Sequence, residues 1–399
     1  MNADLRAAAD AVAASLTSPT SNVNGYPQAF NRGAVGIALL HIERAAQGLA
    51  GWDVAHAWLT AATSDGVGTG QDATLTLGAP AIAFALHGAA CQGRYSYAEA
   101  ALDRAVATVV QQRLEQAHAR IDRGNRPSQS EFDLFNGLTG FGAHLLRRDP
   151  RGSLLPSVLA YLVRLTEPLK DDDNLPGWWT DDPVTRSQYV ISEGYKGHSN
   201  HGMAHGITGC LALLALSQRR GISVPGQTGA LHRICDWLDT WQQRGPHGPW
   251  WPQALTIDEL RSGTPSQTGP GRPSWCYGTP GIARAQQLAG QALGDSLRQQ
   301  LAEQALVECL TDRRQVSLIK DVGLCHGIAG LFQTAWRMIA DSRDPHLASQ
   351  LPRLSGLLLA APPSDDFGAL DGMAGLALAQ MTSAIDAVAT NWDAFFLLN

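Results

Sequence analysis

The sequence predicts an all-α fold, a seven-fold α/α toroid in which inner and outer helices form a double ring. Three observations carry that prediction. A small-x-x-small signature recurs seven times, at Gly33-Ala-Val-Gly36, Gly78-Ala-Pro-Ala81, Gly137-Leu-Thr-Gly140, Gly206-Ile-Thr-Gly209, Gly278-Thr-Pro-Gly281, Gly327-Ile-Ala-Gly330 and Gly372-Met-Ala-Gly375. The steps between copies are 45, 59, 69, 72, 49 and 45 residues, a period that fits two helices and their connections. Each signature leads into a run too apolar to face solvent, such as Ile37-Ala38-Leu39-Leu40 or Leu211 to Leu216. Between signatures lie amphipathic stretches with their charges on one side, such as Ala101 to Arg120 and Asp295 to Thr311. A hairpin of one helix of each kind cannot bury its apolar face alone, whereas a closed ring of hairpins can.

Taken in order, the chain starts Met1-Asn2-Ala3-Asp4-Leu5-Arg6 and continues Ala-rich and amphipathic, which is not the basic-then-apolar pattern of a secretory signal. The paired small residues of each signature suit close helix packing and a tight entry turn. Two connections are long. Residues 166 to 204 include Asp171-Asp172-Asp173 and Trp178-Trp179, and residues 244 to 275 include Pro246, Trp250-Trp251-Pro252 and a Gly/Pro/Ser-rich run ending in Arg272-Pro273-Ser274. Long irregular segments are functional rims or linkers, and tryptophans favour ordered rims. The chain is therefore expected to be a single domain over residues 1–399.

Composition excludes several classes. Apolar residues make up 44 %, charged residues 17 %, and the net charge is −6, so there is no basic footprint for nucleic acid. No uncharged apolar stretch approaches the ~20 residues of a membrane span. A cytoplasmic protein is expected. The glycines do not form phosphate-binding motifs. The six cysteines are too dispersed for a disulfide framework. Cys91, Cys210, Cys235 and Cys309 sit in Ala/Leu-rich surroundings and read as inert buried thiols. Cys276 and Cys325 break that pattern.

In a ring of repeats, residues at equal offsets from the signature lie at equal heights. The residue before each signature is Arg32, Leu77, Asn136, His205, Tyr277, His326 or Asp371, and two residues before stand Cys276 and Cys325. Polar groups converging on one mouth of an apolar ring are the usual form of a binding site. The 49-residue gap between the thiols is too long for a zinc ribbon, yet it places adjacent repeats side by side. Two thiolates and His326 would hold one Zn²⁺ and leave its fourth position for substrate. So electron-rich a site suits binding and deprotonating a thiol. A thiolate adding to an activated alkene produces an enolate that needs a proton, and His205 is the candidate acid. A rival metal site, His198 with His201 and His205 on one helical face, is opposed by the surrounding Gly197, Gly202 and Gly206.

Asn200-His201-Gly202-Met203-Ala204-His205-Gly206-Ile207, Trp275-Cys276-Tyr277-Gly278 and Cys325-His326-Gly327 resemble the signatures of the LanC family, the zinc-dependent lanthipeptide cyclases. The resemblance implies a toroid in which Zn²⁺ activates cysteine thiols of a dehydrated precursor peptide, and these add to dehydroalanine or dehydrobutyrine to close (methyl)lanthionine rings. It implies Cys276, Cys325 and His326 as zinc ligands, His205 as acid/base, and Asp133, Arg272 and Tyr277 as further site residues. Asp133 also stands where it could cap the following helix, Arg272 where it could make a rim ion pair, and Tyr277 where it could merely pack. The family often has leucine where this chain has His201. A dehydratase and an export transporter are the implied candidate partners. Two other functions compete: a LanC-like protein that binds a thiol such as glutathione without closing rings, and a glycosidase using Asp133 and Asp371, which leaves both special cysteines unexplained.

Overall fold

A computed structural model describes residues 1–19, 26–169, 175–184, 195–246 and 248–399. Asp171, Asp172 and Asp173 lie outside the described residues. Every signature opens a helix, and its first glycine is the N-cap of Ala34–Ala46, Ala79–Ala90, Leu138–Arg148, Ile207–Arg219, Thr279–Leu293, Ile328–Asp341 or Met373–Ile385. These helices are buried almost all round, as their apolar runs require. The helices between them, among them Asp53–Thr63, Leu154–Leu165, Gln227–Thr240 and Ser296–Thr311, bury one stripe and expose the other.

By contacts the chain falls into two compact units, residues 1–109 with 319–399, and residues 110–318. In the first, Ala34–Ala46 packs beside Ala79–Ala90 and Met373–Ile385, and the latter beside Ile328–Asp341. Asn2–Ser15, Asp53–Thr63 and Leu351–Leu359 cover them. In the second, Ile207–Arg219 packs between Leu138–Arg148 and Thr279–Leu293, covered by Leu154–Leu165, Gln227–Thr240 and Ser296–Thr311.

The glycines turn out to serve the turn before the helix more than helix packing. A Cβ on Gly281 would stand 2.0 Å from the Trp275 carbonyl oxygen, and one on Gly330 2.0 Å from that of Leu324. In both cases the chain folds back so that the residue six positions earlier presses its carbonyl on the helix's first turn. The first glycine closes the same turn: Gly278 N–H donates to Ser274 O and Gly327 N–H to Gly323 O.

The two long connections of the second unit are ordered where described. Their tryptophans are buried, and Trp178 donates to Ser199 Oγ while Trp251 donates to Leu238 O. The connections pair as short antiparallel strands, His198–Asn200 with Ala254–Thr256, which a sequence pattern three residues long cannot announce. His201 bolts this arrangement: Nδ1 lies 2.9 Å from Pro252 O, so it carries the hydrogen, and Nε2 accepts from Trp237 Nε1 at 2.9 Å. Burial pushes the His201 imidazole down to about 4, as it does those of His41 and His198.

Two predictions follow from this packing. Gly330→Ala should destabilise the protein by about 1–3 kcal/mol or more in urea unfolding, because backbone must move. Gly356→Ala, in the helix Leu351–Leu359 with nothing within 4 Å of the new methyl, should be neutral or stabilising by about 0.5–1 kcal/mol. Equal effects at the two positions would refute the turn account. The buried neutral histidines make the second. Between the ordinary value 6.5 and about 4 the unfolded chain binds protons that the native chain excludes, so stability falls as pH drops through that window. His201→Leu should cost about 1–3 kcal/mol at pH 7 through its abandoned partners, yet show a shallower decline from pH 6.5 to 4. An unchanged slope would contradict the buried neutral assignment.

Candidate metal centre and acid–base pair

Backbone bonds between successive pre-helix turns set the heights of the site residues. Leu134 N–H donates to Ala204 O, and Met203 N–H donates to Cys276 O at 2.7 Å. Cys325 N–H donates to Leu370 O. Residues two and three before each signature are thereby tied to their counterparts in a neighbouring repeat, which is the register that the sequence implied.

His205 and Asp133 come together on this framework. His205 Nδ1 lies 2.6 Å from Asp133 Oδ2. Asp133 is buried and its Oδ1 accepts from Asn136 N at 2.5 Å and Gly137 N at 2.9 Å. One oxygen therefore closes the turn before the helix Leu138–Arg148, whose N-cap is Gly137, and the other holds an imidazole. A carboxylate only accepts, so Nδ1 carries a hydrogen and, in the neutral ring, Nε2 carries the lone pair. Phe135 packs edge-on against the His205 ring, with centroids 5.1 Å apart.

Tyr277 follows Cys276 on the next turn. Its hydroxyl accepts from Asn200 Nδ2 at 3.1 Å, and the same amide nitrogen donates to Gln129 Oε1 at 2.7 Å. The Tyr277 ring centroid lies 6.3 Å from that of His205, so the two share a neighbourhood. Arg272 is half-buried at the start of this turn, where its carbonyl accepts from Ser274 N.

Cys276, Cys325 and His326 each offer one ligand atom, and these atoms all lie within 4.8 Å of one another. Two soft sulfurs and an imidazole at that spacing fit a thiophilic cation, so this group could bind a metal. Both thiols are buried and His326 is half-buried. The Cys276 thiol donates to Ser274 Oγ at 3.4 Å. His326 Nε2 lies 3.6 Å from Asp321 Oδ2, and Nδ1 lies 3.6 Å from Asp371 Oδ1. Whichever nitrogen a metal took, the other would face a carboxylate, the usual outer partner of a metal-bound imidazole.

The rival histidine site does not assemble among the described residues. His198 lies in a strand, its Nδ1 2.7 Å from Tyr195 OH, and His201 is consumed by Pro252 and Trp237. Asp133 and Asp371, the carboxylates of the glycosidase alternative, each face an imidazole instead. Sequence reading passed over Asp321 and Asn200. A register signal existed: both stand six residues before a signature glycine, as does Arg272.

A family described as lanthionine synthetase C-like protein matches residues 26–397. The nisin biosynthesis protein NisC of Lactococcus lactis subsp. lactis is 26 % identical over 206 residues, 51 % of this chain and 48 % of that protein. The chain thus spans about half the length of the curated relative it matches. The solved structure of a nisin cyclase superposes with a TM-score of 0.81 at 20 % identity, covering 98 % of this chain and 96 % of the other. The predicted α/α toroid is that shared fold. With a match running from residue 26 to residue 397, the chain belongs to the lanthionine synthetase C-like family.

Proposed function

We propose that this protein is a lanthipeptide cyclase acting on a dehydrated precursor peptide, with one zinc ion held by Cys276, Cys325 and His326. The single observation that carries the reading is the convergence of two thiols and an imidazole from distant parts of the chain within 4.8 Å. Membership of the family and the likeness to NisC support it. Zinc bound by two thiolates and an imidazole lowers the pKa of a coordinated thiol while leaving the sulfur nucleophilic. Asp321 and Asp371 orient His326 and offset its charge.

The remaining residues act on the alkene. The thiol adds across the double bond of dehydroalanine or dehydrobutyrine: sulfur loses its proton to His205 Nε2 or to water and bonds the β-carbon, and the α-carbon gains a proton. The protonated His205 delivers that proton from Nε2, and Asp133 steadies the imidazolium through Nδ1. Tyr277, held by Asn200, and Arg272 line the same turn and bind the amide carbonyl on which enolate charge develops. An export transporter and a dehydratase are the expected partners, and the cytoplasm is the expected compartment. No helix among the described residues is long and apolar enough to cross a membrane.

The purified protein should carry one zinc per chain and consume peptide thiols faster than the uncatalysed reaction. Cys276→Ala should lose both metal and turnover. His205→Asn should keep the metal and slow ring closure by about 10²–10⁴-fold. Thiol loss no faster than background with zinc bound would favour a thiol-binding protein over a cyclase. An unchanged rate in His205→Asn would remove that residue from the mechanism.

A further inference from the structure

Cys91 departs from the buried, inert thiol expected of it. Burial pushes the thiols of Cys210, Cys235 and Cys309 up to about 12, whereas Cys91 is exposed at the C-cap of the helix Ala79–Ala90. One turn back, His87 lies with Nε2 3.4 Å and Nδ1 3.9 Å from Cys91 Sγ. His87 Nδ1 is also 2.6 Å from Glu99 Oε1, a half-buried carboxylate on the helix Ser96–Asp122. A carboxylate only accepts, so Glu99 fixes the hydrogen on Nδ1 and leaves the lone pair on Nε2, the nitrogen nearer the thiol. Carboxylate, imidazole and thiol thus stand in the order of an activated nucleophile.

We propose that Cys91, His87 and Glu99 form a nucleophilic thiol site for exchange with small soluble disulfides, separate from the Cys276–Cys325–His326 group. In the reaction the Cys91 sulfur attacks one sulfur of a disulfide R–S–S–R, and the Cys91 proton passes to His87 Nε2. The S–S bond of the reagent breaks, Cys91–S–S–R forms, and the released thiolate takes a proton from the imidazolium or water to leave as R–SH. No other oxidant is needed, because the disulfide is itself reduced.

Two features select this chemistry over acyl transfer. The amides of Cys91, Gln92, Gly93 and Arg94 donate to His87 O, Ala89 O, Ala90 O and Ala89 O, closing the end of the helix. None of the four is therefore presented to an oxyanion, which acyl transfer requires and disulfide exchange does not. The turn from Cys91 to Arg94 is exposed throughout, so a small disulfide reaches the sulfur from solvent. The turn is also held in place: Tyr95 adopts a positive φ of 59° with its hydroxyl 3.1 Å from His56 Nδ1, and Arg94 lies over the Trp52 ring at 4.8 Å.

The test is incubation of the zinc-loaded protein with oxidised glutathione or cystine, with the adduct located by peptide mass mapping and its rate measured. Cys91 is expected to carry the adduct, a reducing thiol to remove it, and Cys91→Ser to abolish it at that position while keeping the fold. His87→Asn should slow its formation by about tenfold or more, with Glu99→Gln falling between the two. Circular dichroism checks that each variant is folded. Adduct formation as fast in His87→Asn as in the unaltered protein would overturn the proposal, as would an adduct on Cys276 or Cys325 with Cys91 unmodified. Because the readout is the adduct, its failure leaves the cyclase reading untouched, and failure of that reading leaves this one untouched.

Discussion

The site depends on a contact that leaves no room for a side chain. In the first turns of their helices, Gly281 and Gly330 meet the carbonyl oxygens of Trp275 and Leu324, each 2.0 Å from where a Cβ would stand. That approach forces the six residues before each helix into one tight turn, closed again by Gly278 and Gly327. Such a turn fixes where its last two side chains stand, and those are Cys276 and Tyr277 in one case and Cys325 and His326 in the other. Helix burial then holds the turn in place, so the stability of the fold and the placement of these side chains come from the same packing.

A second regularity is electrostatic. Two groups of histidine stand out among the described residues. His41, His198 and His201 are buried against backbone carbonyls or neutral side chains and kept neutral by desolvation. His205 and His87 each have an acidic partner at 2.6 Å, and His326 has two at 3.6 Å. A carboxylate at one ring nitrogen fixes the tautomer and supports a positive imidazolium, so this second set is equipped to exchange protons or serve a cation. The first set serves the architecture, with His201 holding Trp237 to Pro252.

Much of this was legible in the residues. The seven signatures announced seven helix starts because backbone meets backbone there, at glycine in every first position and at glycine or, once, Ala81 in the second, and the register from those starts brought Cys276, Cys325 and His326 together on paper. His205 came from the register and Asp133 from the resemblance, but their pairing was not foreseen, since 72 residues separate them and no local period links them. The strands His198–Asn200 and Ala254–Thr256 were invisible because three residues carry no alternation. Cys91 was misjudged from Ala/Leu-rich neighbours: composition reports how apolar a segment is, but a thiol at the final turn of a helix leaves the apolar face. Asp321 was missed because a lone aspartate in a loop resembles any solvated acid, although its offset of six before Gly327 repeated that of Asn200 and Arg272.

The central claim is that two sulfurs and one imidazole hold a single zinc whose fourth position is left for a substrate thiol. Zinc-edge X-ray absorption of the purified protein, before and after adding a cysteine-containing peptide, measures this most directly. Two sulfurs at ~2.3 Å and two lighter atoms at ~2.0–2.1 Å, changing to three sulfurs on addition of peptide, are the predicted result. A shell that already holds four protein donors, or one that peptide leaves unaltered, would contradict it.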